Sequence, residues 1–325
     1  MAPGVLCAWA VCVTMAAPIP ATAQVEFKAE GTDHVSIRIN GQSFSDFYFG
    51  TSYPKPFLAP LRSANGLIVT RKYPMESVEG ESRDHPHHRG LWIGYGNVNG
   101  VNFWENEINV PNTDAETPKR QGRIVLRGVT GLKPGQKSGT ITAAFEWQRP
   151  EGTTLMDERR LMTFYADAET RTVDIDATFT AKERVQFADT KEGFFAIRVA
   201  DSMSGKNGGL MTNSEGAQTE KNVWGRRADW VDYDGVVEGQ KVGIVVFDHP
   251  QNYRHPPPWH VRDYGLFAVN PFGVKDFEPK AAEQGGRELA PGASMRFRYR
   301  VVVHPGDTPE KKIADWYSEY ARKGK

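Results

Sequence analysis

Residues 83–92 read Arg-Asp-His-Pro-His-His-Arg-Gly-Leu-Trp, so His85, His87 and His88 stand beside Asp84 and between two arginines, Arg83 and Arg89. Imidazole titrates near neutral pH, so this group has the means to move protons, to bind substrate oxygens or to ligate a metal. Pro86 breaks any regular ladder, which predicts a shaped loop ahead of the apolar residues 91–95. Residues 248–262 repeat the design: His249, His255 and His260 with Arg254 and Arg262, braced by Pro250, Pro256, Pro257 and Pro258. Prolines hold such side chains in place with less conformational freedom to lose. Six of the eight histidines therefore lie in two stiffened stretches, and we expect both to line one cleft.

Three uses of that cleft compete. The first is acid–base work on a glycoside, cleaved or rearranged, for which carboxylates and imidazoles are the usual carriers. His87, His88 and His260 are the expected proton carriers. Glu192, next to the apolar run 194–197 and Arg198, is the expected carboxylate. His85, Arg89, Trp92, Arg198, Trp230, His249, His255, Trp259, Arg262 and Asn270 are the expected substrate contacts. Aromatic faces stack on sugar rings, and guanidinium forks suit acidic groups. The second use is binding without turnover, in which the same residues only hold a carbohydrate. The third is a divalent metal, with His85 and His87 pointing the same way in an extended segment and His255 or His260 completing the set. The metal-free version is preferred, because two histidines two apart in a loop are a weak signal.

These loops need a scaffold, and the rest of the chain alternates apolar and polar residues with period two. Val173, Ile175, Ala177 and Phe179 alternate with polar partners, as do Met295, Phe297, Tyr299, Val301 and Val303. Asn40-Gly41 and Asn99-Gly100 are hairpin turns. The tail alone reads as helix: Thr308 and Pro309 open it, and Ile313, Trp316, Tyr317 and Tyr320 form one apolar stripe that should dock on a sheet. The expected fold is all-β, a large antiparallel β-sandwich or supersandwich with one C-terminal helix, as a single domain over residues 24–325.

Residues 1–23 hold a short apolar run followed by Pro18, Pro20 and Ala21-Thr22-Ala23, the pattern of an export signal, so the protein should be periplasmic or secreted. No stretch reaches the length of a membrane span. Both cysteines, Cys7 and Cys12, fall in that segment, which leaves no thiol for a disulfide, a nucleophile or a zinc site. With 40 basic and 40 acidic side chains there is no cationic surplus for nucleic acid. Neither a Gly-x-Ser-x-Gly elbow nor a phosphate-binding glycine loop is present.

Residues 84–92, with 99–104, 224–233, 255–265 and 270–273, resemble the signatures of a bacterial exported family of unknown function whose members are often labelled "methane oxygenase PmoA". The similarity covers nearly the whole chain after the signal. A methane oxygenase subunit of that name would sit in a membrane, at odds with a chain that has no span. The resemblance implies proteins that keep company with sugar-oxidising and sugar-hydrolysing enzymes, and a fold similar to the galactose-mutarotase-like supersandwich.

Overall fold

The computed structural model describes residues 24–107, 120–281 and 284–323. The expected export signal lies outside the described residues. The first strands are β1 (Val25–Glu30), β2 (His34–Ile39), β3 (Gln42–Tyr48), β4 (Phe57–Ala59) and β5 (Leu91–Tyr95). Then come β6 (Arg123–Lys133), β7 (Ser138–Gln148), β8 (Thr154–Ala166), β9 (Arg171–Ala181), β10 (Val185–Phe187), β11 (Gly193–Arg198) and β12 (Leu210–Asn213). Helix α1 (Glu220–Val223) precedes β13 (Trp230–Val237), β14 (Gln240–Asp248), β15 (Trp259–Val261) and β16 (Leu266–Val269). Helix α2 (Val274–Phe277), β17 (Arg287–Leu289), β18 (Ser294–Pro305) and α3 (Glu310–Ala321) complete the order.

The strands form two eight-stranded antiparallel sheets, β1-β2-β3-β4-β5-β11-β16-β15 and β12-β13-β14-β18-β9-β8-β7-β6, with β10 and β17 as a separate pair. This is the expected sandwich. Both predicted turns have left-handed residues, Asn40 and Gly41, Asn99 and Gly100, as a two-residue hairpin loop requires. In β9 buried and half-buried positions alternate without exception, so one face packs inward and the other meets water. The apolar stripe of α3 docks where expected: Ile313 and Tyr320 pack on Trp230, Val245, Phe247 and Val302 of the second sheet. The two four-residue helices α1 and α2 carry no apolar stripe long enough to read in advance. Among the described residues, no helix is long and apolar enough to cross a membrane.

Strands β5 and β11 break the alternation, with every residue buried. Their inward residues Leu91, Ile93, Phe195 and Ile197 join the main core. Trp92 and Ala196 join a separate cluster on the outer face with Phe57, Ala59, Trp104, Leu266 and Ala268. That outer face is covered because residues 71–90 fold back across it, and the functional residues collect beneath them.

Candidate functional site

Register lines up the outer face of the first sheet. Phe57 pairs with Trp92, Trp92 with Ala196, Ala196 with Ala268, and Ala268 with His260. The two alanines form the floor of a trough, and Trp92 and His260 are its walls. With strands about 4.8 Å apart, three spacings separate those walls by roughly 14 Å, and all four residues are buried beneath the histidine loop.

One wall is a stack of four rings. Tyr264 lies on His85 at 5.0 Å, His85 on His88 at 4.8 Å, and His88 on Trp92 at 5.0 Å, with interplanar angles of 4°, 10° and 24°. His87 stands edge-on to His88 at 4.4 Å. Beneath the stack Arg71 and Arg198, both buried, share one carboxylate oxygen: Nη1 of Arg71 and Nη2 of Arg198 donate to Asp84 Oδ1 at 2.6 and 2.7 Å. Arg71 also holds the backbone of the histidine loop, donating to the carbonyls of Asp84 and His85 at 2.8 Å each. His85 itself takes a left-handed φ of 43°, a conformation that a residue without glycine's freedom keeps only when its surroundings impose it.

The histidines are held as opposite tautomers. His88 Nδ1 faces Nη1 of Arg198 at 3.3 Å, and a guanidinium only donates, so Nδ1 accepts and Nε2 carries the proton. His260 Nδ1 faces the carbonyl of Lys191 at 3.0 Å, so Nδ1 donates and Nε2 keeps its lone pair. Both Nε2 atoms are buried without a partner, as are His87 Nε2 and the indole nitrogens of Trp92 and Trp224. Buried polar atoms in folded proteins are almost always paired, so the gathering of five such atoms here makes this the candidate site.

Burial, reinforced by neighbouring positive charge, lowers the pKa of His87, His88 and His260, the last to about 3 from 6.5. Burial, then the charge of Glu105, raises that of Glu192, making it a stronger base than an ordinary carboxylate. Glu192 adjoins Lys191, whose carbonyl anchors His260, and its charge reaches Tyr264. Folded values below 6.5 mean that the imidazoles contribute stability in full above pH 6.5 and lose it as pH falls towards 3. The contribution of these three imidazoles to stability in urea should therefore be constant above pH 6.5 and decline below it. In His260→Gln the decline should be shallower by up to about 1.4 kcal/mol per pH unit, one proton's worth. Identical slopes in both proteins would contradict a buried neutral His260.

Of the expected site residues, His85, His87, His88, Trp92, Glu192, Arg198, His260 and Arg262 surround this trough. Arg89 lies beside it, paired with the buried Glu107 and stacked over Phe57. Arg198 binds Asp84 rather than Glu192, the partner its position suggests in sequence. The others do different work. His255 bonds Asp248 at 2.6 Å and approaches Asp229 and Tyr317 of α3. Burial alone would lower its pKa, but Asp229 and Asp248 raise it to about 9. His249 Nε2 meets the Lys323 carbonyl, and its ring packs on Tyr320. These two histidines anchor the C-terminal helix, so the second stretch gives only its far end to the cleft. Trp230 is buried under α3, and Trp259 lies in the core with its indole donating to the Ala228 carbonyl. Asn270 clamps the turn that carries Glu192, donating to Thr190 and accepting from Phe272 and Gly273. Among the described residues His85, His87 and either His255 or His260 are not gathered as a metal set; the one such group is elsewhere.

Sequence reasoning missed Arg71, Tyr264 and Lys55. Lys55 is buried and donates to the Trp104 carbonyl at 2.7 Å and to Asn106 Oδ1 at 2.6 Å. Burial, then Arg89, pushes its pKa down to about 7. None of the three sits in a patterned stretch, apart from Tyr264, two residues beyond Arg262.

A family model described as "Family of unknown function (DUF6807)" matches residues 34–318. No curated protein matches the chain. Among solved structures it is similar to a galactose mutarotase-like protein from Clostridium acetobutylicum, at 9% identity and a TM-score of 0.44, over 87% of this chain and 99% of that one. It is also similar to a putative aldose 1-epimerase from Escherichia coli K12, at 12% identity and a TM-score of 0.35, over 87% of this chain and 100% of the other. A glycoside hydrolase family 97 enzyme from Pseudoalteromonas sp. strain K8, in complex with panose, aligns at 9% identity and a TM-score of 0.33. There the match covers 87% of this chain but about a third, 34%, of the enzyme.

Proposed function

The chain belongs to DUF6807, a family of unknown function, so its activity has to be sought in the trough itself, and we propose that it is a carbohydrate-active enzyme that rearranges or cleaves a sugar by proton transfer. The observation that carries this reading is the set of buried, partnerless nitrogens at Trp92, His88 and His260 around a small-residue floor. Trp92 Nε1 and His88 Nε2 donate, and His260 Nε2 accepts. A hydroxyl both donates and accepts, and a polyhydroxylated ring satisfies such a mixed set where an apolar ligand cannot. Glu192 is the base that removes a proton, and the two donors steady the oxygen on which charge develops. His260 accepts from a ring hydroxyl, Tyr264 and Trp224 border the ring, and Arg262 orients it. With the export pattern of residues 1–23, this activity belongs to the periplasm or the exterior.

The test is to incubate the protein with aldoses, ketoses, 3-keto-glycosides and oligosaccharides in D2O, following products and deuterium uptake by NMR and mass spectrometry. At least one sugar should be converted, or should exchange a proton, in a manner that depends on Glu192. A sugar held tightly in calorimetry but never converted would replace this reading with that of a binding protein. Failure to bind any sugar would remove both.

A further inference from the structure

On the outer face of the second sheet, Asp232, Asp234 and His304 offer ligand atoms that all lie within 4.8 Å of one another. We propose that these three side chains form a site for a divalent transition ion of the zinc class, separate from the sugar trough on the other sheet.

The sheet builds the cluster by register. Asp232 and Asp234 are two apart in β13 and so point the same way. Across β14, Asp234 pairs with Gly243, and Gly243 with His304 of β18. The imidazole reaches the carboxylates by lying over Gly243. A Cβ at that position would collide with the His304 ring and Asp234 Oδ1, and would come 2.6 Å from His304 Nε2. Glycine leaves open the cradle in which the three groups meet.

Two details point to a cation there. His304 Nδ1 faces the carbonyl of Pro305 at 2.9 Å, which places a proton on Nδ1 and directs Nε2 towards the carboxylates. A backbone carbonyl behind the non-ligating nitrogen is the usual support for a metal-bound histidine. Nε2 lies 3.0 Å from Asp232 Oδ1, so a positive charge belongs between them, supplied either by a second ring proton or by a metal ion. A proton there pairs only those two atoms, while Asp234 Oδ1 stays buried with no partner beside a second carboxylate. An ion about 2.0–2.2 Å from each of the three satisfies all of them at once and leaves a fourth tetrahedral position for water. One nitrogen and two carboxylates suit zinc and its neighbours better than calcium or magnesium, which prefer oxygen alone. A cavity of about 560 Å³, lined in part by Ser63, Asn65, Lys241, Asp307 and His304, opens beside the ring and gives an ion a way in.

The experiment uses the full chain, stripped with chelator and then given zinc chloride. One zinc per chain should survive gel filtration, and the thermal unfolding temperature should rise with added zinc. Cobalt in its place should give the visible absorption of a four-coordinate site. Asp234→Asn keeps the shape and removes the charge, and Gly243→Ala fills the cradle; each should weaken zinc binding by at least about 100-fold. His87→Gln and His260→Gln should bind zinc as the parent does. The proposal is overturned if the parent retains no zinc, or if Asp234→Asn and Gly243→Ala hold it with unchanged affinity. It is equally overturned if His87→Gln alone abolishes binding, since the ion would then belong to the histidine loop. Should a variant fail to fold, the cobalt spectrum of the parent decides: six-coordinate bands would reject the site.

Discussion

Glu192→Gln is expected to lower turnover by about 10²–10⁴-fold while leaving KM within a few-fold of the parent, on whichever sugar supports turnover. The amide keeps the size and hydrogen-bonding reach of the side chain and removes only its basicity. Substrate should therefore bind nearly as before and fail to lose its proton. The pH profile gives a second readout. Burial and Glu105 raise the pKa of Glu192, so activity in the parent should fall on acidification with a midpoint above the ordinary 4.5. In Glu192→Asp that limb should persist at reduced rate; in Glu192→Gln it should vanish. His260→Gln should behave differently, raising KM more than it lowers kcat, because His260 accepts from the substrate rather than carrying the reacting proton. A Glu192→Gln protein retaining a third or more of the parental kcat would remove Glu192 from the chemistry.

The second large effect is on stability. Asp84→Asn should destabilise the protein by about 3 kcal/mol, the lower end of the cost of leaving a buried charge without its partner. Arg71 and Arg198 both donate to the same oxygen of Asp84, and their own side chains are 0% and 1% exposed. Without that carboxylate, two buried guanidiniums face each other in a place that water screens only in part. The lower end is appropriate because Asp84 itself is 41% exposed and its surroundings are partly wet. Adding Arg71→Met should recover part of the loss by removing one of the two stranded cations. The urea midpoint measures both. An unchanged midpoint in Asp84→Asn would show that the arginines do not depend on it. Because Arg71 also holds the histidine loop by its carbonyls, loss of Asp84 should release His85 and His88, and sugar affinity should fall with stability.

The scaffold was legible because period two and Asn-Gly turns are local signals. Ile175 faces inward for the same reason that Asp174 does not, whatever the neighbouring strand. The histidine cluster and His260 were legible as residue types in stiffened stretches. What remained hidden depends on partners distant in sequence. His255 looked like a cleft residue and became an anchor, because Asp229 and Asp248 flank it and the C-terminal helix closes over it. Trp259 and His260 are adjacent, yet strand parity sends one to the core and the other to the trough. Nothing in an eleven-residue window distinguishes them. Arg71 was invisible for a related reason: its role exists only where residues 82–88 fold back over it.

The parity of β5, β11, β15 and β16 divides labour within single strands. Leu91, Ile93, Ile197 and Val261 hold the sandwich together from one side, while Trp92, Ala196, Ala268 and His260 face the candidate site on the other. Packing between the sheets and packing on the outer face are thus encoded at interleaved positions. A larger residue at Ala196 or Ala268 would crowd Trp92 and Trp104 in the outer cluster while leaving the packing between the two sheets untouched.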